Sequence, residues 1–88
     1  MRSVLEFPIA IVAKQIIVMP AGARVIALDV KNDRPFMWAL IDPSAPVVER
    51  TFVTFATGQQ FDEREIACNY RGTYVLRDGT VGHVVELA

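Results

Sequence analysis

Residues 70–87 read YRGTYVLRDGTVGHVVEL, and this stretch decides the fold. Two runs rich in Tyr, Thr and Val flank Asp78-Gly79. Such runs suit a pleated, half-buried surface. Asp-Gly between them predicts a tight two-residue turn whose twist matches that of the flanking strands. The reading is a hairpin, Tyr70 to Arg77 and Thr80 to Leu87.

Working back towards the N-terminus, the same grammar repeats. Glu49 to Ala56 reads as a strand that Thr57-Gly58-Gln59-Gln60 ends. Phe36 to Ile41 is apolar on both faces, so it is expected to be the central, most buried strand. Asn32-Asp33-Arg34-Pro35 turns the chain before it, and the rigid Asp42–Pro46 loop follows it. From Ala23 to Lys31, Ile26, Leu28 and Val30 fall on one face, and Asp29 and Lys31 on the other. Pro20-Ala21-Gly22 is a turn signal. Ile9 to Val18 fits a helical stripe in part, but six of its ten residues are Ile or Val. That favours a bend near Ala13-Lys14 and a strand from Gln15 to Met19. Ser3 to Phe7 opens the chain as a strand that Pro8 ends or confines to a sheet edge.

One segment differs in kind. Asp62 followed by Glu65 has the spacing of a capping box, and Phe61 and Ile66 the spacing of a hydrophobic staple. They predict one short helix near 62–69. The expected architecture is therefore mainly β. It is a small antiparallel barrel or a two-layer sandwich of about seven strands, in a single domain spanning 1–88.

Composition narrows the function classes. An 88-residue chain that is 52% hydrophobic is too small to bury all of its apolar surface alone. A homo-oligomer is expected. The net charge is -1 and the nine basic residues are scattered. Nothing resembles the basic stripe that phosphate-backbone binding requires. Phe52, Phe55, Tyr70 and Tyr74 could stack bases, but core packing explains them more simply. The single cysteine, Cys68, excludes an internal disulfide and reads as a small buried apolar residue in a reducing, cytoplasmic compartment. Ile9 to Ala13 is too short for a secretory signal, and no apolar run is long enough to span a bilayer as a helix. Neither a secretory leader nor a membrane partner is expected.

The chemistry-bearing residues are few. His83 is the lone imidazole, and a general base needs a proton to serve while a metal needs companion ligands. A packed or hydrogen-bonded strand histidine is the simpler reading. No catalytic residue, metal or cofactor is expected. Thr57-Gly58 and Gly72-Thr73 each set a glycine beside a hydroxyl, where backbone N–H groups can approach an anion. Arg34, Arg50, Arg71 and Arg77 lie near strand ends. Two converging guanidiniums could grip a phosphate or carboxylate, although solvated charges that blunt sheet edges also account for them. Asp42 before Pro43 is expected to cap a turn, and Glu86 to be solvated. The candidate ligand-binding set is Arg34, Arg50, Thr57, Gly58, Arg71, Gly72, Thr73 and His83.

An ordered series of motifs runs through most of the chain. It comprises Met19-Pro20-Ala21-Gly22-Ala23, Trp38-Ala39-Leu40-Ile41-Asp42-Pro43, Thr57-Gly58, Tyr70-Arg71-Gly72-Thr73-Tyr74 and His83-Val84. The series resembles an uncharacterised family of small proteins encoded by bacteriophages and prophages. Two positions depart from the family pattern. Ala56 stands where a glycine precedes Thr57-Gly58, and Gly82 stands where an aromatic precedes His83. The resemblance implies a bacterial cytoplasm and no established activity. The expected function is non-enzymatic: self-association and binding of a host protein or a small anionic or polar metabolite. The alternatives are a factor that sequesters a signalling nucleotide or docks on a host immune effector, and a small hydrolase or metal enzyme using His83. A single-strand nucleic-acid binder is not expected.

Overall fold

A computed structural model describes residues 1–66 and 69–87. Among them the chain forms β1 (Ser3–Pro8), β2 (Lys14–Pro20), β3 (Arg24–Lys31), β4 (Arg34–Ile41), β5 (Val47–Phe55), α1 (Glu63–Ile66), β6 (Tyr70–Val75) and β7 (Val81–Glu86). The strands make two antiparallel sheets, ordered β1-β4-β3 and β2-β5-β7-β6. Neither sheet closes on itself, so the architecture is the sandwich and not the barrel. No helix among the described residues is long and apolar enough to cross a membrane.

The core lies between the sheets. Met37, Ala39 and Ile41 of β4 face Met19 of β2, Phe52 of β5 and Val84 of β7, all nearly or fully buried. β4 is the middle strand of its sheet, as its two apolar faces predict. β1 is an edge strand, and Pro8 sits at its end, where a missing N–H breaks no ladder.

Two turns differ from the expected chemistry. The loop between β6 and β7 has three residues, Arg77-Asp78-Gly79, not two. Leu76 and Thr80 still pair, the Gly79 N–H bonds the Leu76 carbonyl at 3.0 Å, and Gly79 takes φ +89°. This is a turn followed by a left-handed residue. Asp78 favours it by accepting the Thr80 N–H at 2.9 Å. The tight two-residue turn belongs instead to the β3–β4 hairpin, where Lys31 pairs with Arg34. Asn32 and Asp33 adopt φ 53° and 60°. Both signs are positive, as the primed hairpin turn demands, and Asn and Asp tolerate them best after Gly.

A β-bulge between Val25 and Ala27 corrects the face assignment of β3. One extra residue reverses the alternation. Val25, Leu28 and Val30 pack against the core, while Ile26 is 50% exposed. Asp62 caps α1 as expected, accepting the Arg64 N–H at 3.0 Å. The described helix is one turn, and Asn69 lies in a turn. The contacts expected of Glu65 and Ile66, and the expected burial of Cys68, fall outside what is described.

The Thr54 hydroxyl is buried and has no hydrogen-bond partner among the described residues. An unmade buried hydrogen bond costs roughly 1–3 kcal/mol. Thr54→Val keeps the shape and removes the donor. It is expected to raise stability by about 1 kcal/mol in urea denaturation.

Candidate functional site

The structure divides all the predicted site residues but Gly72 among three places. Thr57, Thr73 and His83 meet on the outer face of the second sheet. Arg50 and Arg71 meet inside the sandwich, on Glu86. Arg34 stands apart, exposed at the start of β4.

His83 pairs with Phe55 of β5 on one side and with Thr73 of β6 on the other. Its ring is surrounded by hydroxyls. Thr57 Oγ1 lies 2.8 Å from Nε2, Thr73 Oγ1 2.9 Å from Nδ1, and Tyr70 Oη 3.2 Å from Nδ1. The Tyr70 and Thr73 hydroxyls also bond each other. Each hydroxyl both donates and accepts, so the cluster can hold His83 in either neutral tautomer.

The chain after β5 folds back over this face, and the Phe61 ring rests on Phe55 with centroids 5.4 Å apart. Phe55, Thr57, Gly58, Phe61, Tyr70 and His83 line a pocket of ≈ 190 Å³ with an apolar floor. Gly58 takes φ +87° at the third position of the turn that the Gln59 N–H closes on the Ala56 carbonyl at 3.0 Å. Among the described residues no group of three or more His, Cys, Asp or Glu side chains could hold a metal ion.

The sequence marks Tyr70 only as a core or stacking aromatic and does not join it to His83. The reason is a second bulge, between Tyr70 and Gly72. Without it, Tyr70 and Thr73 would lie on opposite faces. With it, Tyr70 pairs with Val85 and Thr73 with His83, both on the outer face. Arg71 is the extra residue, and its side chain turns inward.

There it meets Glu86. Arg50 binds Glu86 through two parallel bonds, Nε to Oε2 at 2.5 Å and Nη2 to Oε1 at 2.7 Å. Arg71 adds Nε to Oε1 at 3.1 Å, and Arg50 Nη1 donates to the Ala23 carbonyl at 2.6 Å. Glu86 is 8% exposed, which corrects its expected solvation. The two arginines do converge, but the carboxylate they grip is the chain's own. Burial raises the Glu86 pKa, and the bonds and charges of Arg50 and Arg71 outweigh it, so the carboxyl stays below its ordinary value. The same bonds raise Arg50. Gly72 belongs to neither cluster. It lies where β6 approaches β3, with φ +147° and Leu28 Cβ 2.9 Å from where its own Cβ would be.

A domain of unknown function, DUF7352, matches residues 1–88. The chain belongs to this family. It matches no curated protein and no solved structure. The expectation of an uncharacterised family is met at that level. In this DUF7352 sandwich Gly82 is buried. The Tyr74 ring, on the facing position of β6, fills the space where a side chain at 82 would stand.

Proposed function

We propose that this DUF7352 protein is a non-enzymatic, self-associating β-sandwich that acts by holding a partner, either a host protein or a small polar ligand. The bacteriophage or prophage setting is part of the proposal and rests on the motif series. The observation that carries it is the outward apolar surface of the second sheet. Ile16, Val18 and Val47 lie on that face and are 58%, 52% and 66% exposed, on a body only 17 Å thick. An apolar sheet face next to an open strand edge fits association better than solvation.

The hydroxyl-lined pocket at His83 is the place for a small polar ligand. It offers donors and acceptors over an aromatic floor, the usual build of a small-molecule site. The arginines give no support to nucleotide sequestration through an anion clamp, because Arg50 and Arg71 are already engaged by Glu86 inside the sandwich.

Light scattering after size exclusion tests self-association. A species heavier than the 9.8 kDa chain is expected, and a strict monomer at high concentration overturns that half. For the pocket, thermal-shift screening with cyclic and linear nucleotides and small polar metabolites is paired with His83→Ala. Any stabilising probe is expected to bind His83→Ala roughly tenfold more weakly or worse, the loss of about one well-made hydrogen bond. Equal shifts in both proteins place the ligand elsewhere.

A further inference from the structure

We infer that β2 is the dimer seam. Two copies pair their β2 strands antiparallel about a twofold axis through Ile16, joining the second sheets into one continuous eight-stranded sheet. This rests on the self-association proposed above and adds its strand, register and charges.

The four sheet edges are unequal. β1 carries Glu6 and ends in Pro8. β3 and β6 each contain a bulge, and they approach each other at Leu28 and Gly72. Charge, proline and bulges are the devices that keep edges from pairing. β2 has none of them between Gln15 and Met19, and its register with β5 is unbroken over seven residues. An open cleft of ≈ 610 Å³ runs beside it, lined by Ile16 and Val18 and, across the gap, by residues 8–11 and by Arg34 and Pro35.

The ladder shows which groups are free. The Thr54 N–H bonds the Ala13 carbonyl at 2.9 Å, and the Ala21 N–H bonds the Pro46 carbonyl at 2.7 Å. In an antiparallel pair, bonded positions alternate. Residues 13, 15, 17, 19 and 21 therefore turn their backbone groups to β5. Lys14, Ile16 and Val18 turn theirs to the open edge. Pairing Ile16 with itself sets Lys14 against Val18 of the other copy. Every free N–H then finds a carbonyl, in roughly six hydrogen bonds, and Pro20, which has no N–H, lies outside the register.

The side chains agree. Ile16 and Val18 are exposed on the outer face, so the four copies of these residues form one apolar strip across the axis. Val18 is flanked within its own sheet by Glu49. Lys14 of one copy, facing Val18 of the other, lies two strand spacings from that Glu49, about 10 Å between backbones. Extended Lys and Glu side chains span this distance. Within one chain the two residues are four rungs apart. The seam therefore brings opposite charges together twice, and only between copies.

The test uses the full chain at matched concentration, with mass read by light scattering. Ile16→Lys puts two ammonium groups on the axis, and the wild-type dimer is expected to weaken at least 100-fold. Ile26→Lys, on β3, leaves it unchanged. Circular dichroism confirms that each variant is folded. Lys14→Glu weakens the dimer roughly tenfold, and Lys14→Glu with Glu49→Lys restores it, a rescue that a fold defect does not produce. If Ile16→Lys still dimerises, or the charge swap fails to rescue, the β2 seam is wrong while self-association stands. If the wild-type chain is a monomer at millimolar concentration, both fall.

Discussion

Gly82→Ala is expected to destabilise the protein by about 3 kcal/mol, the upper range for overpacking a filled core. The added Cβ would sit 2.2 Å from Cζ of Tyr74 and 2.5 Å from its Cε2 and hydroxyl. The ring has little room to retreat: Tyr74 is 2% exposed and belongs to the core cluster with Met37, Phe52 and Val84. The sign is diagnostic. Glycine in a strand at an unstrained angle normally gives way to alanine with a gain of about 0.4–1 kcal/mol, because the unfolded chain loses freedom. A gain in urea denaturation at fixed protomer concentration would show that the ring does not lie over position 82. Tyr74→Ala alone is expected to cost about 3–5 kcal/mol through the cavity it leaves. Combined with Gly82→Ala it should cost less than the two singles together, by 1 kcal/mol or more, because the ring that clashes is gone.

Removing the Glu86 carboxylate has the second large effect. Glu86→Ala leaves Arg50 and Arg71 beside each other, with side chains only 17% and 28% exposed. Breaking one side of a buried ionic cluster costs about 3–5 kcal/mol. Replacing Arg50 and Arg71 by Met and Glu86 by Leu together is expected to recover most of that loss, since an apolar set of similar volume needs no compensating charge. The cluster also sets a pH dependence. The folded carboxyl titrates below its ordinary value of 4.5, so its stabilisation is complete above that pH and disappears as pH falls through the lowered folded value. Wild type is expected to lose stability across that acid window. Glu86→Ala should be flatter there, although Asp42, Asp62 and Asp78, also lowered by local hydrogen bonds, still contribute. A variant with the same acid slope as wild type would place the sensitivity outside Glu86.

Both effects arise from the last hairpin, and its strands were legible without the structure. So were the buried centre of β4, the edge position of β1 and the Asp42 turn, where Ser44 donates to the carboxylate from N at 3.0 Å and from Oγ at 2.7 Å. These are local or periodic properties. Prolines, Asx residues and alternating apolar side chains act on their immediate neighbours, so their reading survives any tertiary arrangement. The candidate site was half legible. Thr57, Thr73 and His83 were all singled out, yet nothing in their spacing joined them, and Tyr70 was missing from the set.

What the amino-acid order determined by itself is a chain of short pleated strands, rich in apolar residues and poor in reactive groups. What only the tertiary structure decided is which side chains meet. Two bulges each add one residue to a strand, and an alternation of period two is reversed by a single insertion. One bulge exposes Ile26. The other brings Tyr70 to His83 and turns Arg71 in to Glu86. Whether a charge is solvated or buried depends on partners distant in sequence: Arg50 and Glu86 are 36 residues apart. Pairing across that separation is set by sheet order, and no local pattern encodes it.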